Sequence, residues 1–443
     1  MMANIFNLFI FTLPFLAFRL SFGLKLPELI FMFLLLLSFF YVALVKKTVF
    51  YFPGFLSMFL LFVLVCFLSV LLAPDIPHFM LGLEWASGIN APGVLAWTSL
   101  IRVLSLFILV LFTSNYVKDK TELERILRIF VYSGVFVGLF SIYQTIYLIR
   151  TTGLLNLFIS FSATHMGDLP RISGFMSEPG VLSEYLLVSM IITLALSIKY
   201  PLEKPKYYVM LLIQVIALFF SFSTRGWIGL ALGFTMFAVL NAKYIKKKRV
   251  VSFALIATLI TGATFTAAFN YLPGLNKISS FVVEKGFLTQ GGGIRMQRRN
   301  AAIKIVYAHP LLGVGIGNYP YFHGQYLDDN LTRRNPELNP YNGKKTAVSD
   351  YYQLFSETGV LGLGLFIFMG ITFIRSALET LKRNEDVCDK IIFKGVLSGL
   401  FGAAFAYSVG TSIWASIYFW LLIGWVLAYN RIHAEKCNES IVY

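Results

Sequence analysis

The run LIFMFLLLLSFFYVALV at residues 29–45 carries no charge. A helix rises about 1.5 Å per residue, so roughly 20 apolar residues take it across a hydrocarbon core of about 30 Å with every backbone hydrogen bond made internally. Blocks of about 18 to 24 such residues recur from end to end. They dictate an all-α polytopic membrane protein. Composition agrees: of 443 residues, 57% are hydrophobic and 13% charged, against about 25% charged in soluble domains. The mean hydropathy is +0.73.

Twelve spans are predicted, near 5–22, 27–45, 52–73, 94–115, 126–149, 181–198, 207–223, 226–242, 250–270, 354–374, 391–409 and 412–430. The first block lacks a basic leader and a small-residue cleavage site, and another span follows at once, so it reads as helix one rather than a signal peptide. The chain then divides into helices 1–9 (1–270), a large helical extracytoplasmic loop (271–353), helices 10–12 (354–430) and a cytoplasmic tail (431–443). The cysteines Cys66, Cys388 and Cys437 are too far apart to suggest a disulfide framework or a metal pattern.

The net charge is +15. In a membrane protein such an excess marks the cytoplasmic side and not a nucleic acid partner. Six short basic clusters fall on alternate connections: Lys46-Lys47, Lys118 to Arg128, Lys199 to Lys206, Lys243 to Arg249, Arg375 to Lys390 and Arg431 to Lys436. All six share one side when both termini are cytoplasmic. The long connections at about 150–180 and 271–353 then face outward. Loops of that length usually carry function.

Three outward patches run against the charge rule. RISGFMSEPGVLSEYLL (171–187) places Arg171, Glu178 and Glu184 at a membrane boundary. FSTRGWIGLALG (222–233) holds Arg225 in a turn between two spans. GGGIRMQRRNAAIKIVYAHPLLGVG (291–315) gathers Arg295, Arg298, Arg299 and Lys304. A helix over 294–308 puts the three arginines within an arc of about 100° at its first turn, beside the positive end of the helix dipole. That placement makes sense when an anion docks there, and helix N-termini bind phosphate readily. Taken singly, an interfacial arginine is a headgroup anchor, a glutamate bonds loop backbone, and a basic helix is merely solvated. Three patches on one face argue for a shared anion, because guanidinium groups repel one another without one, and their forked donors suit phosphate oxygens. Arg19 and Arg102, inside spans one and four, are further charges within the predicted membrane segments.

No Walker loop, dinucleotide fingerprint or zinc-type His/Cys spacing is present. The five histidines are scattered, so no cofactor or metal is expected.

RISGFMSEPG (171–180), STRG (223–226), the run from Arg295 to HPLLGVGIGNY (309–319) and SDYYQLFSETGVLGLGLF (349–366) resemble, in order and topology, the O-antigen polymerase and O-antigen ligase superfamily of bacterial envelope glycosyltransferases, which are GT-C-like membrane enzymes. The resemblance implies an inner-membrane enzyme whose site faces the periplasm and whose substrate is an oligosaccharide on undecaprenyl diphosphate. It implies neither metal nor nucleotide sugar. By position, Arg171, Arg225 and Arg295 match the arginines thought to hold the diphosphate leaving group, with Arg298 and Arg299 beside them. The HPLLGVG turn around His309 looks structural. One departure stands out: the His-Asn pair that ligases of the family, and many polymerases, carry before the Glu-Thr-Gly element is here Val348-Ser349, and Asp350 is the nearest replacement base. The EPG form of the first motif is more similar to polymerases.

The expected chemistry is displacement at an anomeric carbon, with arginines stabilising the departing diphosphate and a carboxylate taking the acceptor proton. Asp350, then Glu178, then Glu184 are the candidate bases. Tyr319, Tyr321, Tyr341, Tyr351 and Tyr352 are candidates for stacking on sugars. O-antigen, capsule or related polysaccharide is the product expected of a polymerase. The alternatives are a ligase delivering glycan to lipid A core or a protein, and a lipid-linked glycan flippase. Partners implied are the bilayer, the lipid-linked glycan, a chain-length regulator and a separate flippase. A transporter is disfavoured by the absence of an evident repeat and by ionisable groups gathering at the outer ends rather than mid-span.

Overall fold

The computed structural model describes residues 2–15, 27–34, 51–78, 87–150, 164–166, 169–242, 290–327, 345–383, 386–410, 413–414 and 416–439. The elements are α1 (Met2–Thr12), α2 (27–34), α3 (Gly54–Leu71), α4 (Val94–Tyr116), α5 (Lys120–Arg150) and α6 (Pro179–Lys199). They continue with α7 (Lys204–Phe220), α8 (Thr224–Leu240), α9 (Gln290–Ala308), α10 (Tyr319–Phe322), α11 (Asp350–Arg383), α12 (Val387–Ala406) and α13 (Ile417–Glu439). Five of them, α3, α4, α5, α6 and α11, are long and apolar enough to cross a membrane. The expected spans from 52–73 to 226–242 and from 354–374 to 412–430 each coincide with a helix. The span expected at 250–270 lies outside the described residues, as do the second halves of the first two. Helix α13 runs on to Glu439, into the segment expected as a tail.

The all-α expectation needs one amendment. Thr164–Met166 (β1) and Leu169–Arg171 (β2) pair antiparallel, with Thr164 opposite Arg171. This small hairpin sets Arg171 at the strand end, just before α6.

Helix α6 is the buried axis. Nearly all of its residues are inside, including Ser183, Glu184, Ser189 and Thr193. Such a helix has no amphipathic face to drive its placement; small residues that let backbones meet do that instead. Helix α12 packs on both α6 and α8. Across the α8–α12 contact a Cβ on Gly402 would fall 2.4 Å from the Gly229 carbonyl oxygen, so the two backbones touch where each has glycine.

The helices alternate in direction, which gives the bundle two chemically different ends. At one end Lys199, closing α6, pairs with Glu124 and, at 3.0 Å, with Asp389 near the start of α12. Lys120 joins Asp389 there, and Trp425 Nε1 donates to the Leu123 carbonyl at 2.8 Å. Arg431 caps the end of α4 by donating to the carbonyls of Asn115 and Val117. The basic clusters Lys118 to Arg128, Lys199 to Lys206 and Arg431 onward thus gather at one end. The starts of α6, α8, α11 and α13 and the ends of α7 and α12 meet at the other.

Helix α11 is interrupted at Gly359, where φ is 64° and ψ −164°. The HPLLGVG turn repairs the break. Val314 and Gly315 N–H donate to the carbonyls of Ser356 and Glu357 at 3.0 and 2.9 Å, while Val360 N–H donates to Pro310 at 2.9 Å. Gly313 is required for this approach, since a Cβ there would lie 2.4 Å from the Ser356 oxygen and its φ is +65°. The turn locks α9 onto α11, as its resemblance implied.

Candidate anion site at the arginine end

Arg225 is the second residue of α8. The preceding turn is tight: Phe222 has φ 46°, and Ser183 Oγ donates to Ser223 Oγ at 2.8 Å, fixing the start of α8 against α6. The guanidinium then runs between two backbones that lack side chains. A Cβ on Gly180 would sit 1.7 Å from Nη2, and one on Gly410 would sit 1.9 Å from Nη1. Within this slot Nε meets Glu184 Oε1 at 3.3 Å and Nη2 meets Glu178 Oε2 at 3.5 Å. The two carboxylates differ sharply. The Glu184 side chain is 0% exposed and that of Glu178 66%.

Arg171, at the end of β2, donates from Nε to the Ser221 carbonyl at 3.4 Å and from Nη2 to Phe222 at 3.2 Å. Desolvation lowers its pKa, and repulsion from Arg225 and then Arg295 lowers it further, against an opposing pull from Glu178. Arg295 is held down by desolvation first, then by Arg299, Arg225 and Arg298. The three arginines singled out in sequence, more than 50 residues apart in two of the gaps, therefore share one electrostatic site. An anion among them would relieve that repulsion.

Helix α9 corrects one expectation. It begins at Gln290 and takes in the glycine run, so Arg295 stands in its second turn rather than its first. The dipole at the N-terminus fades within a turn, and the phosphate-binding argument passes from helix end to side chains. The arginines also divide by role. Arg295 is exposed. Arg299 is drawn inward, its Nη2 donating to the carbonyls of Val348 at 3.4 Å and Ser408 at 3.3 Å, with its guanidinium 5.8 Å from the Tyr352 ring centre. The Arg298 carbonyl accepts the Tyr319 hydroxyl at 2.7 Å, and Lys304 donates to the Tyr326 carbonyl at 3.2 Å.

Asp350 is buried at the start of α11 and is tied into structure. Its Oδ2 accepts the Ile413 N–H at 2.9 Å, and its own N–H donates to Gly410 at 2.8 Å and Tyr407 at 3.1 Å. It thereby shapes the turn that carries one wall of the Arg225 slot. Of the three candidate carboxylates, only Glu178 stands open to an incoming molecule.

The expectation for Tyr319 and Tyr321 is corrected outright. Both rings are fully buried, so neither offers a face to a sugar. Tyr319 packs in the small core under α9, and the Tyr321 hydroxyl donates to the Asn90 carbonyl. Tyr351 is partly buried and bonds the Ala404 carbonyl at 2.6 Å. Tyr352 is 37% exposed beside Arg299 and keeps a usable ring face. Tyr341 lies outside the described residues.

Several contributors had no signal in sequence. Gly410 looks like any loop glycine until Arg225 is threaded past it. Phe222 and Val348 are the two non-glycine residues with positive φ among those described, at 46° and 57°. Glu357 gives Oε1 to the Tyr319 N–H at 3.3 Å and to Gln353 Nε2 at 3.0 Å, which explains the glutamate of the Glu-Thr-Gly element as a scaffold. His323 is fully buried, stacked on Tyr319, with Nδ1 3.0 Å from the Pro320 carbonyl.

Residues 209–367 match the family model described as O-antigen ligase. The match takes in α7, α8, α9 and the first half of α11, with Arg225, Arg295, Arg298, Arg299 and Asp350 inside it. It bears out the resemblance to the polymerase and ligase superfamily. No curated protein matches the chain.

Proposed function

We propose that this protein is a multi-pass bacterial inner-membrane glycosyltransferase that polymerises oligosaccharide repeat units carried on undecaprenyl diphosphate, its site facing the periplasm. The observation that carries the reading is the convergence of Arg171, Arg225 and Arg295 on one site, with Arg225 held in a glycine slot. Positive charge assembled and oriented before a ligand arrives is what a departing diphosphate requires, because it then needs no reorganisation in the transition state.

In the proposed reaction, an acceptor sugar hydroxyl attacks the anomeric carbon of the donor. The new C–O bond forms as the bond from that carbon to the diphosphate oxygen breaks. The bonding pair leaves with the lipid diphosphate, held by Arg171, Arg225 and Arg295. The hydroxyl proton passes to a carboxylate, and the open position of Glu178 favours it over Glu184 and over Asp350, the first candidate under the family resemblance. Tyr352 offers a stacking surface for the glycan.

The ligase alternative, transfer of the same glycan to lipid A core or a protein, is favoured by the description of the matching family. Supplying purified protein with a lipid-diphosphate-linked repeat unit, with and without a lipid A core acceptor, separates the two. A ladder of longer lipid-linked chains supports the polymerase, and transfer only to the core supports the ligase. Movement of the lipid between leaflets with no new glycosidic bond would sink both.

A further inference from the structure

Arg225 carries two carboxylates of opposite character. Glu184 is wholly buried on α6 and has nowhere to go. Glu178 is mostly exposed, 3.5 Å from Nη2, at the position just before α6. Glu178 holds the N-cap position of that helix and spends no side-chain bond on capping it. Its charge is felt by Arg171 as well as by Arg225. An exposed carboxylate that pairs with one guanidinium and is felt by a second stands where an anionic ligand's oxygens would bind.

We infer that Glu178 is an internal stand-in for the phosphate: it occupies the exposed edge of Arg225, and the incoming diphosphate displaces it. Glu184 is the fixed counter-charge that keeps Arg225 oriented throughout. The arrangement rests on the diphosphate reading above and adds an order of events to it. Before the diphosphate arrives Glu178 is paired and shields the arginines from one another. Binding of the diphosphate frees it beside the donor, so a carboxylate becomes available for the acceptor proton only when a donor is present. A polar, partly solvated ion pair of this kind is weak, worth well under a tenfold change in binding, which suits a group that must be displaced.

The two functions of Glu178 have opposite signs in one experiment. Full-length protein in detergent is titrated with farnesyl diphosphate, comparing wild type with Glu178→Gln and Glu184→Gln, and turnover is measured on the lipid-linked repeat unit. Glu178→Gln is expected to bind farnesyl diphosphate roughly two- to fivefold more tightly, because the competitor is gone, while turnover falls at least tenfold. Glu184→Gln is expected to bind it more weakly, since Arg225 loses its anchor. A loss of packing alone would weaken binding in both variants. Wild-type binding with unchanged or weaker affinity in Glu178→Gln overturns the stand-in and leaves the diphosphate reading intact. Wild-type protein that binds no diphosphate overturns both.

Discussion

The Arg171 Nη2 and the carbonyl oxygen of Phe222 stand 3.2 Å apart, and Phe222 holds a left-handed backbone with φ 46°. The same pairing recurs across the site, where Arg299 Nη2 meets the carbonyl of Val348, φ 57°, at 3.4 Å. Left-handed backbone in a bulky or β-branched residue carries a strain of about 1–3 kcal/mol and persists where the surroundings over-determine it. Here each strained peptide presents its oxygen to an arginine of the cluster. Charge-assisted bonds to those carbonyls offset the strain and fix the direction of two guanidinium groups.

The glycine slot predicts a separation of activity from folding. In Gly180→Ala and Gly410→Ala the atoms nearest the new methyl belong to the Arg225 side chain, the closest 1.7 and 1.9 Å away. The guanidinium should swing aside while the helices stay put. Product formation is expected to fall about 10²- to 10³-fold, the usual loss when one oriented donor is removed. The thermal midpoint should move by only a few degrees, and a midpoint collapse in both variants would contradict the slot.

Arg295→Ala should abolish long-chain product with normal protein levels, because the side chain is exposed and its loss opens no cavity in the core. Gel analysis of chain length alongside quantitative blotting checks this. Wild-type chain lengths would remove Arg295 from the site.

Arg299 should behave differently from its neighbour one turn away. Arg299→Ala leaves the Val348 and Ser408 carbonyls without their donor, and a lost buried partner costs about 1–3 kcal/mol. The variant is expected to lower both thermal stability and activity, with partial recovery in Arg299→Lys, which supplies charge without the fork. A variant with wild-type stability and weakened diphosphate binding would instead make Arg299 a ligand contact.

His323 gives the loop region a pH limit. Burial pushes its pKa down to about 4 in the folded protein, below the ordinary value of about 6.5. As pH falls from 6.5 towards 4, the unfolded chain takes up the proton first, so stability is complete above that window and declines within it. The full shift corresponds to about 3 kcal/mol. Unfolding followed from pH 7 to 4.5 should therefore show a steeper loss in wild type than in His323→Gln. Parallel curves would contradict a neutral buried imidazole.

How much was legible in the sequence depends on whether a feature is local. Hydrophobic runs located most of the helices because a span's length is set by the bilayer and not by its neighbours. The alternating basic clusters gave the polarity of the bundle, and Lys199, Lys120 and Arg431 do meet at one end. The arginines of the site were readable as anomalies, being positive charge where the pattern calls for none. The burial of Tyr319 and Tyr321 is not legible, because an aromatic residue in a polar loop looks the same in sequence whether it faces a sugar or, as here, a small core beneath α9.

By itself, then, the sequence determined a helical membrane protein with arginines gathered in three patches, since hydropathy and charge act wherever they occur along a chain. Only the tertiary structure decided which carboxylate is buried and which is exposed. Glu178 and Glu184 lie six residues apart on one motif, and their different fates follow from burial of the start of α6 against α8 and the turn at Gly410. Burial is a property of what packs around a residue, and so a single stretch of chain cannot express it.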